Sequence, residues 1–305
     1  MTRLSIVVPV YNSAATLSAL HARITQALAG LHYELVFVND GSSDASWTRI
    51  EELAAADSRV RGLNLARNYG QHNALLAGIR AAKNDTVVTL DDDLQNPPEE
   101  IRRLLAKLDE GFDVVYGSAA EPRYGFWRGI GTRLTKLALR IAIGNDIADK
   151  VSAFRVFRTH LREAFAAYAG PYVSIDVLLS WGTTRYAAIP VEHAVRADGQ
   201  SSYSFARLAT HALNVLTGFS TRPLRVASLV GMAFTLFGFG IFVYAIVRWA
   251  IGGAVPGFPF LASIISIFAG VQLLTLGVIG EYLARMHLRI MDRPPYAVLE
   301  ETGER

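Results

Sequence analysis

An α/β domain built on a mostly parallel sheet and followed by a two-helix membrane hairpin is the fold class predicted for this 305-residue chain. Three observations predict it. Short apolar runs alternate with amphipathic, helix-length segments up to about residue 115, the order that gives right-handed βαβ units with helices on both faces of a sheet. Polar clusters stand directly after those apolar runs, at the edge where such sheets bind ligands. Two long stretches further on, 226–247 and 257–280, contain no charged residue.

Segments 4–10, 33–39, 60–65 and 86–90 are predicted strands, because each is a short run rich in Val, Leu and Ile. Segments 14–29, 45–56 and 72–82 are the predicted helices between them, with Asp44 standing as the N-cap of the second. Each uncharged stretch reaches the roughly 20 residues that a helix needs to cross the hydrocarbon core. Only a short turn around 252–256, containing Gly and Pro, separates the two. Arg207, Arg222 and Arg225 precede the first stretch, Arg285, Arg289 and Arg293 follow the second, and Arg248 stands alone at the far end. That asymmetry predicts a multi-pass protein with both termini in the cytoplasm. The first residues run straight into a strand, without the apolar stretch and cleavage site of a signal peptide. Segment 205–219 carries Phe205, Leu208, Ala212, Val215, Leu216 and Phe219 on one face, a helix suited to lie in the bilayer interface.

Composition narrows the chemistry. The chain is 51% hydrophobic with a mean hydropathy of +0.25, and the excess sits in the two uncharged stretches. It has no cysteine, which excludes a disulfide framework and a thiolate metal site. The net charge is +3 and the pI near 9.1, but the basic residues concentrate between Arg123 and Arg225, toward the membrane. An anionic or phosphorylated lipid fits that distribution better than nucleic acid.

The chemistry-bearing cluster is Asp91-Asp92-Asp93-Leu94-Gln95, at the end of the fourth apolar run. Clustered carboxylates at a sheet rim are hard oxygen ligands for a divalent cation such as Mg²⁺ or Mn²⁺. The alternative is an acidic turn before a helix that starts in Asn96-Pro97-Pro98-Glu99-Glu100. Tyr11-Asn12-Ser13 and Asp40-Gly41-Ser42-Ser43-Asp44 follow the first two runs, so parallel strands bring all three clusters to one edge. Asp40 is placed to accept hydrogen bonds from a base or ribose.

Four segments in this order resemble the family 2 glycosyltransferases with the GT-A (Rossmann-like) fold: Val8-Pro9-Val10-Tyr11-Asn12, Val38-Asn39-Asp40-Gly41-Ser42-Ser43-Asp44, Leu65-Ala66-Arg67-Asn68-Tyr69-Gly70-Gln71-His72, and Leu90 through Glu99. Leu94-Gln95-Asn96-Pro97-Pro98-Glu99 is similar to the polyprenyl-phosphate group: undecaprenyl-phosphate glucosyltransferases, aminoarabinose transferases and dolichyl-phosphate mannose synthases. The resemblance implies metal contacts at Asp91, Asp93 and Gln95, with Asp92 a bystander, on the expectation that an extended chain projects alternate residues to one side. It implies nucleotide contacts at Pro9, Tyr11, Asp40, Arg67 and Asp91, and catalytic work at Asp93, Arg128 and Arg155. Trp127-Arg128-Gly129-Ile130-Gly131-Thr132, Val151-Ser152-Ala153-Phe154-Arg155 and the segment from Arg196 to Tyr203 resemble acceptor elements, which implies phosphate contacts at Arg128, Thr132, Ser152, Arg155, Arg196 and Tyr203. The chain departs from the family pattern at Ser13, Ala119, Ala153 and Ser202. His72 reads as packing or capping, and Asp176 reads equally as a sugar contact or a helix cap.

The implied activity is inverting, metal-dependent sugar transfer from a nucleotide sugar, UDP-linked by expectation, to undecaprenyl phosphate at the cytoplasmic face of the inner membrane. The product would serve a cell-envelope glycan or lipid A modification. The expected layout is a catalytic domain over 1–200, a juxtamembrane region over 201–225, a hairpin over 226–283 with spans near 226–248 and 257–283, and a cytoplasmic tail over 284–305. A homo-oligomer, a tetramer by resemblance, is expected, with Gly231, Gly238, Gly240, Gly270, Gly277 and Gly280 allowing close helix packing and the tail from Pro294 adding a strand to a neighbour. The competing readings are a processive polysaccharide synthase of the same fold and a non-catalytic scaffold that binds a sugar nucleotide. The first calls for a Gln-x-x-Arg-Trp motif, whereas Val247-Arg248-Trp249 lacks the Gln.

Overall fold

A computed structural model describes residues 3–119, 140, 151–170, 172–192, 217–251 and 257–303. The largely apolar β1 (Arg3–Val10) is buried from Leu4 onward, as a strand covered on both faces must be, with Ser5 as its one buried polar side chain. β1 lies at the centre of an eight-stranded sheet, flanked in parallel by β2 (His32–Asn39) and β4 (Thr86–Thr89), with β3 (Val60–Leu65) parallel to β2. Beyond β4 the sheet turns mixed. β6 (Arg155–Arg158) runs antiparallel between β4 and β5 (Val114–Ala119), and β7 (Tyr186–Val191) closes that edge parallel to β5. The order is β7-β5-β6-β4-β1-β2-β3-β8, where β8 is Val298–Thr302.

Alternate residues of the central strands feed two cores. Ile6, Val8 and Val10 pack with Leu17, Leu20 and Ile24 of α1 (Ala14–Ala27), Ile50 of α2 (Ser46–Ala56) and Leu104 of α4 (Ile101–Asp109). Val7, Val36 and Val38 face Leu75, Leu76 and Ile79 of α3 (Gln71–Ala81), together with Ile175 and Leu178 of α5 (Ile175–Leu179). Gly78 lets α3 come this close, since a Cβ there would meet Val7 Cγ1 at 2.3 Å. The expected strands and helices of the first ninety residues are therefore present, with ends shifted by a residue or two.

Four of the seven strand pairings are parallel, as a mostly parallel sheet requires, and the three antiparallel ones are β3·β8, β4·β6 and β5·β6. One expectation is corrected. The tail strand does not go to a neighbour. β8 pairs with the chain's own β3, and Ala66 N donates to Ala297 O at 2.9 Å just beyond it.

Between the domain and that tail lie α6 (Arg222–Ala250) and α7 (Phe258–Ile290), each with a stretch long and apolar enough to cross a membrane. Their large side chains, among them Leu229, Leu236, Phe239 and Leu273, are exposed, as on helices whose solvent is lipid. Phe234 meets Phe268 edge to face at 6.1 Å, and Gly238 packs against the same ring. Gly238 thus serves the hairpin itself, while Gly231, Gly240, Gly270, Gly277 and Gly280 have open space above them. The chain leaves the α/β domain through α6 and returns to its sheet after α7.

Candidate active site

The carboxyl ends of β1, β2, β3 and β4 lie side by side, and each is followed by a polar loop. Backbone conformation and hydrogen bonds lock the four loops together. Asn12 takes a left-handed conformation (φ 53°), which lets its N–H donate to Ser42 Oγ at 3.0 Å while its Oδ1 accepts from Ser43 N at 2.8 Å. The N-cap position of α2 is Ala45, not Asp44 as expected, but the Asp44 carboxylate accepts from the first residues of two helices, Ser46 N at 3.0 Å and Ala14 N at 3.1 Å. Gly41 (φ +64°) presses on the β3 loop, where a Cβ would meet Arg67 C and Asn68 N at 2.5 Å. Gly41→Ala is therefore expected to destabilise the protein by about 1–3 kcal/mol, read as a lower melting temperature in detergent.

Asp40 is buried and accepts from Tyr69 N at 2.7 Å and Gly70 N at 2.8 Å. Burial holds its pKa above the usual carboxylate range, with those two amides acting in the opposite direction. Its first job is to clamp the β3 loop. The exposed Arg67 guanidinium stacks on Tyr69, 4.6 Å from the ring centroid. Pro9 is buried within β1 opposite Val38, whereas Tyr11 projects into solvent with 52% of its surface exposed.

At the end of β4 the chain does not continue extended. Asp92 and Asp93 form a turn and Leu94 is left-handed (φ 61°), so strand alternation is not what gathers these acids. The turn instead crowds them. Burial, then the charges of Asp93 and Asp92, push the Asp91 carboxyl up to about 7, and the nearby Arg155 and a 2.6 Å hydrogen bond from Gln71 Nε2 only partly oppose this. Asp93 Oδ1 accepts from Gln95 N at 3.1 Å. Asp92, expected to be a bystander, accepts from Tyr11 N at 3.2 Å and ties the β1 and β4 loops together. Burial is the main cause that raises its pKa. Among the described residues no three His, Asp or Glu side chains converge to enclose a metal ion. Crowded, half-buried carboxylate oxygens nevertheless fit a hard divalent cation that takes its remaining ligands from a bound phosphate and water, as Mg²⁺ does.

Beneath the rim lies a buried pair. Arg155, at the start of β6, is 2% exposed and forms a short ion pair with Asp176 in the first turn of α5. Tyr116 Oη donates to the same Asp176 oxygen at 3.1 Å, and burial, then the Asp176 charge, raises the Tyr116 pKa well above its ordinary value. Asp176 is thus held through one carboxylate oxygen by Arg155 and Tyr116, and the cap position of α5 belongs to Ser174. Ser152 Oγ accepts from Phe154 N at 3.2 Å, and Thr89 Oγ1 donates to Ala153 O at 2.7 Å, fixing this segment beside β4. His72 Nδ1 accepts from Ile175 N at 3.4 Å, a structural contact between α3 and α5. The structure therefore gathers Tyr11, Asp40, Arg67, Asp91, Asp93 and Gln95 around four adjoining loops and sets Arg155 close to Asp91. Arg128, Thr132, Arg196 and Tyr203 lie outside the described residues, as does most of the expected interfacial helix. Gln71, Asp92 and the Arg155 partner Asp176 are the contributors that sequence reasoning missed or misassigned.

A family profile described as Glycosyl transferase family 2 matches residues 5–165. The chain is 38% identical over 304 residues to the undecaprenyl-phosphate 4-deoxy-4-formamido-L-arabinose transferase of Shewanella sediminis, covering 96% of this chain and 91% of that one. It is 39% identical over 300 residues to the protein of the same name in Pseudomonas aeruginosa, covering 96% and 88%. Among solved structures, glucosyl-3-phosphoglycerate synthase from Mycobacterium tuberculosis in complex with Mn²⁺, uridine diphosphate and phosphoglyceric acid has the same fold. The TM-score is 0.53 at 20% identity, over 71% of this chain and 76% of that one.

Proposed function

The chain belongs to glycosyl transferase family 2 and is a glycosyltransferase, and from that premise we propose that it transfers a sugar, with inversion, from a UDP-sugar to undecaprenyl phosphate at the cytoplasmic face of a membrane. The observation that carries the reading is the acid cluster at the end of β4, tied to the β1 loop and to the start of α3 and joined in one chain to two membrane-length helices. The relatives named for undecaprenyl phosphate support the acceptor, and the likeness to a fold solved with uridine diphosphate and Mn²⁺ supports the donor.

In this reading Asp91 and Asp93, with Gln95, hold Mg²⁺ or Mn²⁺, which when bound offsets the charge gathering on the leaving diphosphate. Tyr11 offers an exposed ring to the base, Pro9 shapes the strand end beneath it, and Arg67 faces the phosphates. Asp40 contributes mainly by fixing the loop that carries Arg67. Arg155 sits near the rim and counters its negative charge. Ser152, Arg128, Thr132, Arg196 and Tyr203 complete the proposed acceptor side. The lipid phosphate, with a second pKa of about 6, is largely ionised at neutral pH and attacks without a strong general base.

The hairpin supports a multi-pass protein. The return of β8 to the sheet of the N-terminal domain supports both termini lying on one face, with a catalytic region up to about residue 200. A homotetramer is part of the same proposal, and the glycines with open space on α6 and α7 support helix contacts between copies.

The test is a donor screen. Purified enzyme given polyprenyl phosphate, Mg²⁺ or Mn²⁺ and a panel of UDP- and GDP-sugars is expected to form a lipid-linked sugar, seen by mass spectrometry, with at least one UDP donor. EDTA is expected to abolish it and added metal to restore it. No product with any donor, or full activity in EDTA, rejects the reading.

A further inference from the structure

We propose that the cavity at the polar end of the hairpin binds the phosphate headgroup of an anionic bilayer phospholipid. The inference rests on α6 and α7 being membrane spans, and it concerns a place apart from the donor site: none of the cavity walls comes from the four strand-end loops.

The cavity has a volume of about 380 Å³ and is walled by Tyr168, Tyr172, Trp181, Phe219, Arg285 and Arg289 among others. Its position follows from the chain path. Ser220 and Thr221, also in the wall, immediately precede α6, and the two arginines occupy the last turns of α7, so the cavity opens where both apolar stretches end. Its floor is built. Tyr168 packs on Trp181 at 5.6 Å and on Phe219 at 6.1 Å between ring centroids, and Tyr282 Oη donates to Ser220 O at 2.5 Å, pinning α7 to the entry of α6. Amphipathic rings of this kind favour the boundary between headgroups and acyl chains.

The charge points to a phosphate. Arg285 lies 4.4 Å over the Tyr172 ring and bonds Glu281 at 2.6 Å, so its direction is set. Arg289 stands four residues on along the same helix face and is exposed. Among the described residues the wall carries two guanidinium groups and no carboxylate, and guanidinium is the side-chain group best matched to phosphate oxygens. An acceptor phosphate must reach the donor sugar, and none of the cavity walls belongs to the loop that carries Asp91 and Asp93, which favours a bilayer phospholipid over the acceptor.

The full-length enzyme in phosphatidylcholine nanodiscs, with and without phosphatidylglycerol, tests this by native mass spectrometry of retained lipid. The wild type is expected to retain phosphatidylglycerol over phosphatidylcholine. Arg285→Gln/Arg289→Gln is expected to lose about tenfold or more of that retention, Arg289→Gln alone to lose part of it, and Arg248→Gln at the opposite end to behave as wild type. Should the double variant not fold, Arg289→Gln decides. Unchanged retention in the variants overturns the proposal. So does competitive displacement of phosphatidylglycerol by polyprenyl phosphate, which would give the cavity to the acceptor. Sugar transfer to a short-chain acceptor in detergent is expected to persist in these variants, so failure here is separable from failure of the catalytic reading.

Discussion

Asparagine at Asp91 or at Asp93 is expected to lower kcat by about a hundred- to a thousandfold while the protein stays folded, because each change removes one hard anionic ligand from the rim and keeps its shape. Asp92→Asn is the internal control. Its carboxylate accepts from Tyr11 N, a bond that an amide oxygen can still accept, so the loss should be far smaller. Asp91 also gives a pH signature. Its folded pKa of about 7 lies above the ordinary 3.8, so between those values the metal-free folded state holds a proton that the unfolded state has released. Stability contributed by this site therefore falls as pH rises through that window, in EDTA. Asp91→Asn cannot titrate and should lose this slope, so the variant gains on the wild type from acid toward neutral pH. Excess Mg²⁺ or Mn²⁺, which binds the ionised form, should return the wild type to the stability of the variant or above it. Parallel melting curves for the two proteins across the whole range would show that Asp91 is not crowded, and unchanged turnover would remove it from the site.

What could be read from the sequence follows from where the folding information is local. β1 to β4 are apolar runs with polar residues directly after them, and a parallel sheet places those residues together whatever the details of the loops. The second half of the sheet hides from such reading. β6 is Arg-Val-Phe-Arg, which looks like surface, yet Arg155 is buried because Asp176, twenty-one residues later in the chain, neutralises it. β8 is Val-Leu-Glu-Glu-Thr, mostly exposed, and becomes a strand only because β3 leaves an open edge beside it. The acid cluster is legible as polar residues at a strand end, but its turn geometry is not. Leu94 in a left-handed conformation turns the chain, so Asp92 is drawn to the β1 loop instead of facing away. No residue pattern distinguishes that turn from a strand that runs one residue further.

Arg155 and Asp176 should give the largest loss of stability in the molecule. Arg155→Met strands a carboxylate, and Asp176→Leu strands a guanidinium, each almost wholly buried, so either change should cost about 3–5 kcal/mol and lower the melting temperature steeply. Replacing both removes the unpaired charge and should recover most of that loss, since apolar side chains of similar size can fill the space between β6 and α5. Activity should not follow stability. Arg155 is a cation that opposes the raised pKa of Asp91, and its removal leaves the rim more repulsive toward a diphosphate whether or not the core has been repaired. The double variant is thus expected to melt near the wild type and still turn over at least about tenfold more slowly, with the deficit growing at low divalent-cation concentration. A double variant that regains stability and turnover together would make Arg155 a core residue only, and the acceptor phosphate would then have to be held by residues of the segments after β5 and β7.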